Sequence, residues 1–266
     1  MSKEGIVADP AHVEITAQSV LDSHAQSVSL VLKTDDARLE WAKELRAAKL
    51  DVVGVVTPES VQDFTSVENA GIYYQLKYAS VLTHLQLGNE PDLESDSSSS
   101  MTPPELLRFS YEFMGGWGPR HSLIVLGGGL ASGQPSWLDP IKPDYLRLVN
   151  RLAIHAYGQR PNNNFPAPDW GFGVIVNLIR AYQGYALGIL PVVSEWGANI
   201  NDYDDESQRA QYVSLMLGAF RQLNTDALLF CLGPNMVPEF DLIDAQGQPT
   251  ESYAAFADSF VLKPRV

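Results

Sequence analysis

The sequence predicts a closed barrel of eight parallel strands, each followed by a helix, and three observations lead there. Eight short β-branched or leucine-rich runs punctuate the chain. Between them lie stretches whose apolar residues recur every three or four positions, the helical period. The runs start 23 to 38 residues apart, room for a strand, a helix and two loops. Strict β-α alternation makes a parallel sheet, and eight such units in 266 residues suit a single (β/α)8 barrel domain spanning 1–266. An open doubly wound sheet is the other arrangement that this alternation allows.

The elements follow in order. The first run, 5–8 "GIVA", is the weakest. The second is 28–33 "VSLVLK", and 36–49 "DARLEWAKELRAAK" after it is helix-patterned, with Trp41 between Leu39 and Leu45 on its core side. The third and fourth are 51–57 "DVVGVVT" and 84–88 "HLQLG". The fifth, 122–127 "SLIVLG", runs into Gly128 and Gly129. The sixth, 152–157 "LAIHAY", and seventh, 190–194 "LPVVS", precede the helix-patterned stretch 206–223. The eighth, 227–232 "ALLFCL", holds the single cysteine, Cys231, which reads as a buried structural thiol. The segments 94–101 "ESDSSSSM" and 158–171 "GQRPNNNFPAPDWG" read as loops and not domain linkers, because similar apolar runs continue on both sides.

Composition narrows the function. Apolar residues make up 45% and charged residues 19%, an ordinary balance for a chain with a sizeable core. The net charge of −14 repels phosphate backbones and anionic lipid, so neither nucleic acid nor a membrane surface is an expected partner. No apolar run approaches the roughly 18 residues of a membrane span. The first residues lack the apolar core of a secretion signal, so the form read here is expected to be cytosolic, exported by another route, or cut from a longer precursor.

In such barrels the chemistry sits where strands end. Strand four ends in Gly88-Asn89-Glu90-Pro91-Asp92, strand six in His155 and Tyr157, and strand seven in Ser194-Glu195-Trp196-Gly197. Side chains alternate along a strand, so Ala153, His155 and Tyr157 share the inward face of strand six. The same count groups Glu90 with Gln86 and Gly88, and Glu195 with Val193. Two glutamates therefore project over one mouth from opposite sides. A carboxylate pair about 5–5.5 Å apart is what a retaining glycosidase requires: one protonated to assist the leaving oxygen, the other ionised to attack the anomeric carbon.

"LGNEPD", "AIHAYG", "VVSEWG" and the terminal "FDLIDAQGQPTESYAAF", in this order and register over roughly 84–256, resemble the clan A (β/α)8 retaining glycoside hydrolases, the cellulase and β-glycosidase superfamily. The resemblance implies hydrolysis of O-glycosidic, β-linked bonds in oligo- or polysaccharides through a covalent glycosyl-enzyme. It implies Glu90 as acid/base and Glu195 as nucleophile. It further implies Asn89 on the sugar 2-hydroxyl, Tyr157 bonded to the nucleophile, His155 lining the same subsite and tuning the carboxylates, and Trp196 flanking the nucleophile. Two family features are missing. No arginine ends an early strand, where this chain reads "KTDD" and "TPES". No tryptophan ends strand eight, where it reads "CLGPNM"; Asn235, Met236 or a neighbouring loop is the expected substitute.

Other readings stay open beside this one. Asn89 and Asp92 also suit a turn cap, and a lone histidine such as His155 is often a satisfied core residue. Trp137 and Trp170, in the segments after strands five and six, suit a cleft in which sugar C–H faces pack on aromatic planes; ordinary packing is the competing reading, as it is for Trp117. "LGGGLASG" (126–133) is a weak phosphate-cradle pattern and more simply makes room at a barrel mouth. No His/Asp/Glu group has metal-ligand spacing along the chain, so neither metal nor cofactor is expected. A carbohydrate-binding barrel without turnover is the alternative of a different class. A Schiff-base barrel would need an interior lysine, for which Lys33 is the candidate.

Overall fold

A computed structural model describes residues 3–8, 16–93, 100–119, 122–157, 172–233 and 237–261, with backbone alone at 172–174 and 261. All eight predicted strands are present: β1 (Glu4–Val7), β2 (Ser27–Val31), β3 (Asp51–Val56), β4 (His84–Leu87), β5 (Ile124–Leu126), β6 (Leu152–His155), β7 (Pro191–Gly197) and β8 (Ala227–Phe230). The helices between them are α1 (Ala17–Asp22), α2 (Asp36–Ala47), α3 (Pro58–Val61), α4 (Val67–Tyr78), α5 (Pro103–Trp117), α6 (Lys142–Leu148), α7 (Phe172–Tyr185), α8 (Glu206–Gln222) and α9 (Glu251–Val261). Helix starts carry their own stop signals. Asp35 accepts from the Arg38 amide at 2.8 Å, and Asp205 accepts from the Gln208 amide at 2.8 Å, each satisfying a first-turn N–H that has no intrahelical partner.

The strands pair in parallel in the order β5-β4-β3-β2-β1-β8-β7-β6. The remaining seam, between β5 and β6, is closed by single bridges, Leu126 to Arg151 and Leu130 to Ile154, and by the Gly127 amide donating to the Arg151 carbonyl at 2.8 Å. The open-sheet alternative is thereby excluded. Closure removes sheet edges and gives every strand an inside and an outside.

The two sides carry different cores. Outward residues such as Ile6, Val28, Val52, Leu85, Leu152 and Leu229 pack against the helices. Inward, Val53, Leu126, Ala153, Val192 and Leu228 form a separate apolar plug across the barrel. Below the plug, at the strand starts, Lys3 pairs with Asp51 and Arg151 with Asp226, and His84 joins this N-terminal end. Above it the barrel is open. Glu4 on β1 is wholly buried on the helix side and is held by Arg221 of α8, whose second nitrogen donates to it at 2.6 Å. Among the described residues no helix is long and apolar enough to cross a membrane.

Candidate active site

The site rises from the plug at the C-terminal ends of β4, β6 and β7. After β4 the chain turns through Gly88 at φ +94° and Glu90 at φ +48°. A side chain in the left-handed region is strained by about 1 kcal/mol or more and persists only where its surroundings hold it. Here the Glu90 amide donates to the Gly129 carbonyl at 2.8 Å. Asp92 accepts from the amides of Ala131 and Ser132 at 2.8 and 2.9 Å. Asp92 thus clamps the loop after β4 onto the loop after β5, a contact between loops and not the local turn cap expected of it.

His155, 2% exposed, places Nδ1 at 2.9 Å from Glu90 Oε1 and 3.9 Å from Glu195 Oε1. The close approach needs Gly129: a Cβ there would lie 2.2 Å from His155 Nε2. The glycine run after β5 therefore makes room for a side chain of the site. Burial opposes charge on the ring, but the Glu195 charge and then the hydrogen bond and charge of Glu90 outweigh it, and the His155 pKa is raised. The Tyr157 hydroxyl donates to Glu195 Oε1. Its pKa is raised by burial first and by Glu195 second, so it remains a donor throughout the working pH range. The Tyr157 ring packs edge-on against Phe240 and Phe230, with centroids 5.6 and 6.4 Å away.

Glu195 reaches the mouth by a route the alternation count misses. Val193, expected inside with it, belongs to the helix-side core, and Val192 belongs to the plug. Between Val193 and Trp196 the register of β7 slips by one residue against both neighbours: Ile154 pairs with Val193 but His155 with Glu195, and Ala227 pairs with Val193 but Leu229 with Trp196. The slip is a β-bulge with Ser194 as the extra residue. Ser194 and Glu195 both line the cavity, and Trp196 is turned out.

The cavity has a volume of about 310 Å3 and includes Asn89, Glu90, His155 and Glu195 in its lining, with Gln86, Ser29, Val7, Val55 and Phe230. Four expected site residues need correction or fall elsewhere. Trp196 is 0% exposed and packs against Phe220 and Tyr212 of α8, so it supports the strand from behind and does not line the cavity. Trp137 sits half-buried in the 3-10 turn Pro135–Ile141, against the helix-side core and outside the cavity lining. Trp170 and Asn235 lie outside the described residues. Trp117 is core, stacked on Phe113, and Lys33 is exposed and absent from the cavity lining. Sequence reading missed Ser194, because a bulge leaves no local signal. It also missed Phe230, hidden in an apolar run. Gln86 was assigned to the inward face but given no role.

Glu90, His155 and Glu195 bring one ligand atom each to within 4.8 Å of one another. Spacing along the chain could not show this, and it corrects the expectation that no such group exists. The donor types suit a metal. Against that, the Nδ1 to Oε1 distance of 2.9 Å is a hydrogen bond, and it occupies the nitrogen that would ligate. One oxygen of each carboxylate lies within 4.8 Å of the other, an approach compatible with the roughly 5–5.5 Å spacing of sites in which the second carboxylate attacks directly.

No family model matches the chain, and no curated protein does. Solved structures do match in fold. An endo-β-1,3-glucanase of glycoside hydrolase family 128 (subgroup I) from Amycolatopsis mediterranei, in complex with laminaritriose, superposes with a TM-score of 0.71 at 17% identity, covering 97% of this chain and 100% of that one. An exo-β-1,3-glucanase of the same family (subgroup V) from Cryptococcus neoformans gives 0.69 at 16%, covering 96% and 99%. A family 113 β-1,4-mannanase gives 0.61 at 10%, covering 99% and 100%. The chain thus has the (β/α)8 fold of these enzymes over nearly its whole length.

Proposed function

We propose that the chain is a retaining glycoside hydrolase acting on β-linked glycans. The observation that carries this reading is the pair of glutamates, on β7 and just past β4, with oxygens within 4.8 Å over an open cavity. Each has its own hydrogen-bond partner, Glu195 the Tyr157 hydroxyl and Glu90 the His155 ring. The Glu195 carboxylate attacks the anomeric carbon and forms an ester bond. The glycosidic C–O bond breaks, its electron pair goes to the leaving oxygen, and that oxygen takes the proton delivered by Glu90. Water then attacks the ester, giving its proton back to Glu90, and free Glu195 returns. Asn89, beside Glu90 in the lining, is placed in this reading on the sugar 2-hydroxyl.

The named activities of the fold neighbours, β-1,3-glucan and β-1,4-mannan cleavage, support a β-linked substrate and put β-1,3-glucan first among those to try. Variants of the Amycolatopsis enzyme with one or another glutamate replaced, bound to laminari-oligosaccharides, agree with a two-glutamate mechanism. The acidic chain, at −14, favours a neutral glycan over an anionic one and over nucleic acid. The test is release of product from β-1,3-glucan, β-1,4-mannan and aryl β-glycosides by the native chain and by Glu195→Gln. Release that vanishes in the variant is expected. Release that survives removes Glu195 as nucleophile. Glycan binding without release by the native chain would leave a carbohydrate-binding barrel that does not turn over.

A further inference from the structure

Beneath the two glutamates the cavity floor holds two buried oxygens with no protein partner. Gln86, 1% exposed, and Ser194, 3% exposed, both line the cavity. The Gln86 side-chain nitrogen donates to the Gly88 carbonyl at 3.0 Å, which fixes the amide orientation and leaves Oε1 as a free acceptor. Neither Gln86 Oε1 nor Ser194 Oγ is paired. Buried polar groups are normally satisfied, and one that is not calls for an explanation. Neither residue is needed there for packing: the plug of Val53, Leu126, Ala153, Val192 and Leu228 already closes the barrel below. Ser194 is also the extra residue of the β7 bulge, and it lines the cavity next to Glu195. Bulges beside active sites typically re-aim a side chain.

The facing wall is different. Val7, Val31 and Val55 supply most of it from β1 to β3, with Ser29 of β2 as its polar side chain. Most polar groups of this cavity are therefore gathered on β4, β6 and β7.

We propose that Gln86 and Ser194 are specificity-determining residues. They take hydroxyl groups of the sugar ring seated beneath Glu90 and Glu195, a ring hydroxyl donating to Gln86 Oε1 and the Ser194 hydroxyl pairing with a neighbouring one. The inference rests on the glycosidase reading and deepens it. A site built to bond a hydroxyl rejects the analogue that lacks it, because the buried partner is then left unpaired. The enzyme is strict at the hydroxyls facing Gln86 and Ser194, and permissive at positions facing Val7, Val31 and Val55, where deoxygenation removes no bond.

The test is a matrix of kcat/KM values. The native chain, Ser194→Ala and Gln86→Met are each assayed with the best aryl β-glycoside and its 2-, 3-, 4- and 6-deoxy forms. Ser194→Ala removes one oxygen and keeps the fold, so it stands even if Gln86→Met, which also frees the Gly88 carbonyl, folds poorly. Ser194→Ala is expected to lower kcat/KM on the parent sugar about tenfold to a hundredfold, and to have no further effect on one deoxy sugar that the native chain already handles that much worse. Equal losses on every substrate, or none on any, would mean that the two oxygens meet only water, and would overturn the inference while leaving the glycosidase reading intact. A native chain that turns over no glycoside overturns that reading first, and this inference with it.

Discussion

Glu90, in left-handed backbone just past β4, and His155, at the end of β6, meet through a 2.9 Å hydrogen bond between Oε1 and Nδ1. Neither position is free. Glu90 is held by its backbone N–H donating a hydrogen bond to the Gly129 carbonyl, and His155 fits only because residue 129 has no Cβ. A carboxylate and an imidazole 65 residues apart in sequence are thereby fixed beside a second carboxylate.

The His155 pKa is expected to fall when either partner loses its charge, since Glu195 and Glu90 are what hold it above 6.5 against burial. Titration of the ring by NMR in Glu195→Gln and Glu90→Gln checks this, and an unchanged midpoint in both would count against the coupling. The linkage sign follows. A raised folded-state pKa adds stability that is fully present below the unfolded value of about 6.5 and is lost as pH rises through the higher folded value. The gap in thermal midpoint between the native chain and His155→Gln is therefore predicted to be wider near pH ~6 than near pH ~9.

Gly129→Ala is predicted to displace His155. The new Cβ would meet Nε2 at 2.2 Å and Cδ2 at 2.3 Å, and overpacking of this kind costs about 1–3 kcal/mol. Activity should fall with stability. The double variant Gly129→Ala/His155→Ala should recover most of the lost stability and none of the activity. Additive losses in a double-mutant cycle would sink the steric account.

Tyr157→Phe should leave the fold intact, because the ring keeps its contacts with Phe230 and Phe240. It should slow turnover by about ten- to a hundredfold, since a hydrogen bond to a charged group is worth ~1.5–3 kcal/mol. Steady-state kinetics alongside a melting curve separate the two effects. Unchanged kcat would remove Tyr157 from the site.

Arg221→Ala is predicted to destabilise the chain by about 3–5 kcal/mol, because it leaves Glu4 wholly buried without its partner. Replacing the pair together, Glu4→Leu with Arg221→Met, should restore much of the loss. Urea unfolding of the three proteins decides it. A neutral single variant would show that Glu4 finds another partner.

The sequence by itself determined the barrel. Periods of two and of three to four residues are local properties, and eight alternations of them leave few ways to bury both faces of a sheet. It also determined where the chemistry would sit: Glu90, His155, Tyr157 and Glu195 stand out because polar groups end apolar runs. Tertiary structure decided what alternation alone could not. The bulge at Ser194 is set by two ladders at once, β7 against β6 and against β8, and no residue of β7 encodes it alone. That one-residue slip turns Glu195 in and Trp196 out, reversing the parity that counting from Val193 assigns to each of them. The meeting of Glu90, His155 and Glu195 within 4.8 Å likewise depends on closure between β5 and β6, a long-range contact between segments that share no local pattern.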